Sequence, residues 1–228
     1  MQTAFSWKQH ILRVSYALVV AFVVCLSLYA QQFKSVQVLE INTAFHFLVI
    51  EDTHLEAGAA FVKLEGGAGY LLKHEGKEYV VLSVYLQKSD GELVQTALSQ
   101  NGKKTKLISL SIKRLYLKRR KDKNNASTYK NALHVLRSCI AIMEECVEGL
   151  EKSMTQETCK RIISQLIGQF KYLSEIYKDC GLEYVNACVY VAQDLLFLQN
   201  QTVYARDLRY ILCCLAVDYV KIGMQFSL

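Results

Sequence analysis

Residues 66–85, GGAGYLLKHEGKEYVVLSVY, decide how the middle of this chain folds. The paired glycines stop a helix, because glycine takes the left-handed conformation without a Cβ clash. AGYLLKH at 68–74 then reads as a strand, Glu75-Gly76 as a turn, and EYVVLSVY at 78–85 as a second strand rich in β-branched and aromatic residues. Upstream, AFHFLVI at 44–50 is a short apolar strand candidate. Thr53 followed by Glu56 has the spacing of a capping box, which opens a helix over about 54–64 with Leu55, Ala59, Ala60 and Phe61 as its apolar positions. Downstream, Ser89 and Glu92 repeat that spacing before Leu93, Val94, Ala97 and Leu98, and Asn101-Gly102 ends the second helix. LISLSI at 107–112 alternates as a fourth strand. This order predicts a ferredoxin-like βαββαβ domain over 40–117, an antiparallel sheet with both helices on one face.

Outward from that unit the pattern changes. From Ser127 the apolar residues Leu133, Leu136, Ile140, Met143, Val147 and Leu150 recur at spacings of three and four. Ser153 and Gln156 have capping-box spacing before a second helix, and two more apolar segments follow at 182–199 and 203–223. Residues 127–228 therefore read as an all-α region of four helices, either an up-down bundle or a bundle laid on the sheet, joined to the sheet by a basic linker at 118–126.

Towards the amino terminus, VSYALVVAFVVCLSLYA at 14–30 carries no charge and is long enough to cross a bilayer as a helix. Lys8 and Arg13 precede it and only Lys34 closely follows. The positive-inside rule then keeps residues 1–13 in the cytoplasm and places the bulk of the chain outside the cell membrane. A cleaved signal peptide is the competing reading, but Leu28 is bulky where cleavage wants a small residue. The whole is expected to be α+β: a transmembrane helix, the βαββαβ domain, then a helical bundle.

The formal net charge of +6 is not spread evenly. KRLYLKRRKDK at 113–123 holds seven basic groups and one acidic, while the residues on either side are close to neutral. Arg114, Lys118, Arg119 and Arg120 are thus candidates for contact with an anionic polymer or lipid headgroup, or form a solvated strand end. Nucleic acid is not expected as a partner outside the cell. Of eight cysteines, seven lie between Cys139 and Cys214, without a CxxC pair or a histidine at metal-ligand spacing. They read as buried thiols acting as small hydrophobes, with one or two disulfides as the alternative.

No G-x-S-x-G, H-E-x-x-H or P-loop is present, and neither a metal nor a cofactor is implied. Glu144, Glu145 and Glu148 read as a solvated helix face and His134 as structural.

GGAGY at 66–70, the short hairpin, YVVLSVY at 79–85, a helix and LISLSI together resemble the SPOR domain, in the divergent form found in single-pass membrane proteins of clostridia-like Firmicutes. The resemblance covers about residues 40–117. It implies binding of septal peptidoglycan, on the sheet face that the helices leave open. Strict alternation puts His46, Tyr79, Ser83 and Tyr85 together on that face, where aromatic rings stack on sugars and the imidazole and hydroxyls hydrogen-bond to them. Leu48, Ile50 and Val81 share the face, and the glutamine that such domains often carry there is missing. Two functions follow as expectations: a non-enzymatic, membrane-anchored envelope protein that binds peptidoglycan glycan strands, or a protein-interaction scaffold in division or sporulation, docking an envelope or divisome partner, whose sheet no longer binds glycan.

Overall fold

The computed structural model describes residues 36–50, 55–118 and 126–225. Four strands, β1 (Val36–Ile50), β2 (Tyr70–His74), β3 (Lys77–Tyr85) and β4 (Thr105–Lys118), form one antiparallel sheet in the order β2-β3-β1-β4. Helix α1 (Leu55–Leu64) follows β1, and α2 (Lys88–Gln100) lies between β3 and β4. Four long helices complete the chain: α3 (Ala126–Lys152), α4 (Gln156–Ile176), α5 (Leu182–Gln199) and α6 (Ala205–Met224).

Directly opposed residues of an antiparallel pair point to the same face, so the register assigns the faces. On one face lie Phe45, Phe47 and Val49 of β1, Val81 and Val84 of β3, and Ile108 and Ile112 of β4. All are buried in a single hydrophobic core with residues of α3, α4, α5 and α6. Helix α6 makes the closest approach. Tyr219 meets Phe45 edge to face at 5.1 Å between ring centroids, and a Cβ on Gly223 would collide with Ile112. The other face carries His46, Leu48, Ser83, Tyr85 and Leu107 and lies under α2. That helix comes down through Gly91, where an added Cβ would stand 2.8 Å from Leu107 Cδ1 and 3.2 Å from Tyr85 Cδ2.

Local signals explain most helix ends. Gly66 and Gly102 follow α1 and α2 with φ of 94° and 76°, conformations a Cβ resists. Two of the three expected caps do not form. Ser89 lies inside α2 and bonds Asp90, because the helix begins one residue earlier, at Lys88. Thr155, not Ser153, caps α4 by accepting from the Thr158 N–H at 3.2 Å. Thr53 lies outside the described residues. In α1 the inward positions are Gly58 and Val62, whereas Phe61 and Leu64 are exposed, since small residues let the helix lie close.

The architecture expected from the sequence needs correction in two respects. Among the described residues no helix is long and apolar enough to cross a membrane, and residues 14–30 lie outside them. The ferredoxin-like sheet is also not open on the side its own helices leave: of the two arrangements read for the helical region, the bundle laid on the sheet is the one observed. The sheet's second face is the floor of the helical core, because Phe45, Phe47, Val49, Ile108 and Ile112 form too large an apolar surface to leave in water. The chain is α+β, with one four-stranded sheet between local helices and distant ones.

Candidate functional site

The four residues predicted to share an open sheet face do not share one. The β1–β3 register slips between Leu48 and Val49: Leu48 opposes Ser83 and Val49 opposes Val81. Leu82 is thus an extra residue in β3, a β-bulge that reverses the alternation beyond it. Tyr79 falls on the α6 face, 4% exposed, with the Lys106 ammonium 5.7 Å from its ring centroid. His46, Ser83 and Tyr85 stay together on the α2 face. His46 is 9% exposed and its Nδ1 is 2.8 Å from Ser109 Oγ. Burial, then the nearby Lys88 charge, lowers the imidazole pKa, with Glu92 opposing, so the ring is held neutral.

Ser83 and Tyr85 reach a cleft of about 410 Å³ where β3 runs on past the end of β2. Asp90 and Leu93 of α2, Glu144, Glu148 and Glu151 of α3, and Arg209 of α6 line it with them. Arg209 holds the corner: it donates to the Gly66 carbonyl at 2.7 Å and pairs with Glu151. Glu144, read from sequence as solvated, is half-buried and accepts from the Leu86 N–H at 3.1 Å. Burial pushes its carboxyl up to about 7, the Leu86 bond opposes, and Glu148, Asp90 and Glu145 add to the rise. Periodicity could have flagged it, since Glu144 adjoins the inward Met143 and lies one turn from Ile140 and Val147 on α3.

A second feature lies on α5. Its inner side buries Tyr184, Cys188, Val191 and Leu195. Its outer side, which also exposes Glu183, Gln193 and Asp194, carries a row of large apolar residues: Leu182, Tyr190 and Phe197, each two turns from the next, are 70%, 60% and 72% exposed. Leu196 and, beyond the helix, Tyr204 extend this surface. Phe197 and Tyr204 rim a pocket of about 340 Å³ shared with Asp194, Tyr210 and Lys63. The Arg206 guanidinium stacks 4.8 Å from the Tyr204 ring centroid, and Lys63 lies 5.3 Å from that of Tyr210. The sequence signal for this face is a helix with little amphipathic contrast, one that looks fully buried.

Of the predicted polyanion contacts, Arg114 lies on β4 and pairs with Glu40 at 3.4 Å, and Lys118 ends the strand. Arg119 and Arg120 lie outside the described residues. The cysteines from Cys139 to Cys214 are free, six buried and Cys214 half-buried. Burial pushes the thiols of Cys139, Cys146 and Cys180 up to about 11 and that of Cys188 to about 12. Such groups are poor nucleophiles at neutral pH.

No protein-family model, curated protein or solved structure matches this chain.

Proposed function

We propose that this chain is a non-enzymatic protein-interaction scaffold that docks an apolar partner surface on the outer side of α5. The observation that carries this reading is the row Leu182, Tyr190 and Phe197, large apolar side chains left in water on a helix already fully packed on its other side. Aromatic residues in such a setting supply large contact area at little entropic cost. The burial of His46, Tyr79 and Ser83 favours a scaffold over glycan binding, because three of the four residues read as sugar contacts lie inside the molecule. An enzymatic reading would rest on Ser109 beside His46. Among the described residues, however, no carboxylate hydrogen-bonds the imidazole, as activation of a serine asks.

The test places a photo-crosslinking amino acid at Phe197 in the full chain in its own cells. One protein adduct is expected, lost on Tyr190→Glu. In parallel, the purified chain is expected to stay in the supernatant with amidase-stripped peptidoglycan sacculi. Pelleting with the sacculi that Tyr85→Ala abolishes would replace the scaffold by a glycan binder. Labelling of Ser109 by a fluorophosphonate would replace it by a hydrolase.

A further inference from the structure

We propose that the free edge of β4 is a docking edge for an acidic, extended peptide segment of a partner protein, which joins the sheet as a fifth strand. This surface is separate from the outer side of α5 and does not depend on it.

The first observation is the length of the edge. β4 runs from Thr105 to Lys118, 14 residues, and pairs with β1 along both halves, with one break of register between Glu40 and Thr43, opposite Lys113. It is the last strand of the sheet, and among the described residues no strand pairs with its other side. Cover from side chains is confined to its start, where Gln95 Nε2 donates to the Thr105 carbonyl at 2.9 Å. From Lys106 onward the outward N–H and C=O groups have no protein partner among the described residues. A row of such groups is a template for another strand, and proteins usually keep their edges short or covered.

The second observation is charge. Thr105–Lys118 contains Lys106, Lys113, Arg114 and Lys118 and no acidic residue, and Lys103 and Lys104 lead into it. Arg114 is matched by Glu40 and Lys103 by Glu65, but among the described residues Lys104, Lys106 and Lys113 have no carboxylate partner, Lys106 lying over the Tyr79 ring instead. Lysines on an edge repel another basic strand, which is one way proteins guard edges against self-association. A second copy of β4 laid antiparallel would bring these cations together, and like charges across a pair are destabilising. A segment carrying glutamates or aspartates meets the opposite situation: the charges that guard the edge against its own kind attract it. Main-chain hydrogen bonds would supply affinity and the lysines would supply selection, the division of labour of strand addition.

The test measures binding of fluorescent peptides to the full chain by anisotropy at low salt. The probes are a short peptide of alternating valine and glutamate, the same peptide with every amide N-methylated, and a valine–lysine version. The glutamate peptide is expected to bind and to slow hydrogen exchange of β4 amides. N-methylation is expected to weaken binding about tenfold or more, since it removes the pairing donors and keeps the charge. Lys106→Glu with Lys113→Glu is expected to weaken the glutamate peptide and admit the lysine one, a reversal that a merely unfolded variant would not show. Equal binding of the methylated peptide, or equal competition by a heparin oligosaccharide or a single-stranded oligonucleotide, would reduce the edge to a general polyanion patch and overturn the proposal. Binding of neither charged peptide would show that the lysines only guard the edge.

Discussion

Under α2 the sheet presents a mixed face, with His46, Ser83, Tyr85 and Ser109 set among Leu48, Val80 and Leu107. Under α6, a few ångströms away through the same strands, it presents Phe45, Phe47, Val49 and Ile112. The first face is roofed by a helix adjacent in sequence, which needs only Gly91 to lie close and which leaves polar side chains to pair with one another, as His46 does with Ser109. The second is roofed from the far end of the chain, where Tyr219 and Gly223 lie more than a hundred residues beyond Ile112. A mixed face of this kind takes a light cover. An apolar face of this size requires a heavy one, and the helical half of the chain supplies it.

The largest effect should come from breaking the apolar face. Phe45 is 1% exposed and meets Tyr219. Phe45→Ala is expected to cost about 3–5 kcal/mol in urea unfolding, with sheet and helices still melting in one transition. Two separated transitions, with only the first shifted, would mean that the sheet and the helices are independent units after all.

Overpacking the mixed face comes next. Gly91→Val would drive a branched side chain into Leu107 and Tyr85. The expected loss is about 1–3 kcal/mol, most of it through displacement of α2. Nuclear magnetic resonance shifts of His46 should move while those of Tyr219 stay put. If both move equally, the two roofs are mechanically coupled and the contrast between the faces is weaker than their composition implies.

A third prediction concerns the junction of the two roofs, where Glu144 of α3 accepts from Leu86. Burial raises its carboxyl from the ordinary value of about 4.5 to about 7, so the folded state holds a proton that the unfolded chain releases. Stability from this group is complete below pH ~4.5 and lost as pH rises to about 7. Glu144→Gln should remove that slope and, at pH 8, stabilise the protein by about 1 kcal/mol, the full shift being discounted for partial exposure. A slope that survives the substitution would assign the proton to another group.

The order of the strands and the position of α2 were legible because their signals are local: β-branched runs, two glycine stops and a two-residue turn. The lengths of β1 and β4 were not, since they run to 15 and 14 residues where only 44–50 and 107–112 read as strand. Nor were the faces. One inserted residue, Leu82, leaves the strand pattern of YVVLSVY intact yet moves Tyr79 to the far side of the sheet, and nothing in the strand's own composition marks it. The cover was legible only as one of two arrangements, a bundle laid on the sheet, and not by its contacts. Tyr219 and Phe45 each announce an apolar face, and only the tertiary fold joins them. Arg209 escaped for the same reason, since its partners Gly66 and Glu151 lie on distant segments. Among the candidate residues, His46 and Ser83 were found as polar positions in apolar strands, but what they were expected to touch, an open solvent face, is the underside of α2.

The smallest effect sharpens the comparison by extending it to α5, a helix with large apolar residues on two sides of which only one is covered. Phe197 is 72% exposed, so Phe197→Ser removes almost no buried area. Thermal unfolding should change by no more than about 0.5 kcal/mol. Leu195, two residues away and fully buried, offers the control: Leu195→Ala should cost about 2–5 kcal/mol. If Phe197→Ser instead destabilises the isolated chain by an amount near that of Leu195→Ala, the outer side of α5 is covered within the molecule, by residues outside those described, and is not available to a partner. A near-zero change together with loss of the crosslinked adduct would separate the two sides of the helix, one maintained for the fold and the other for an encounter.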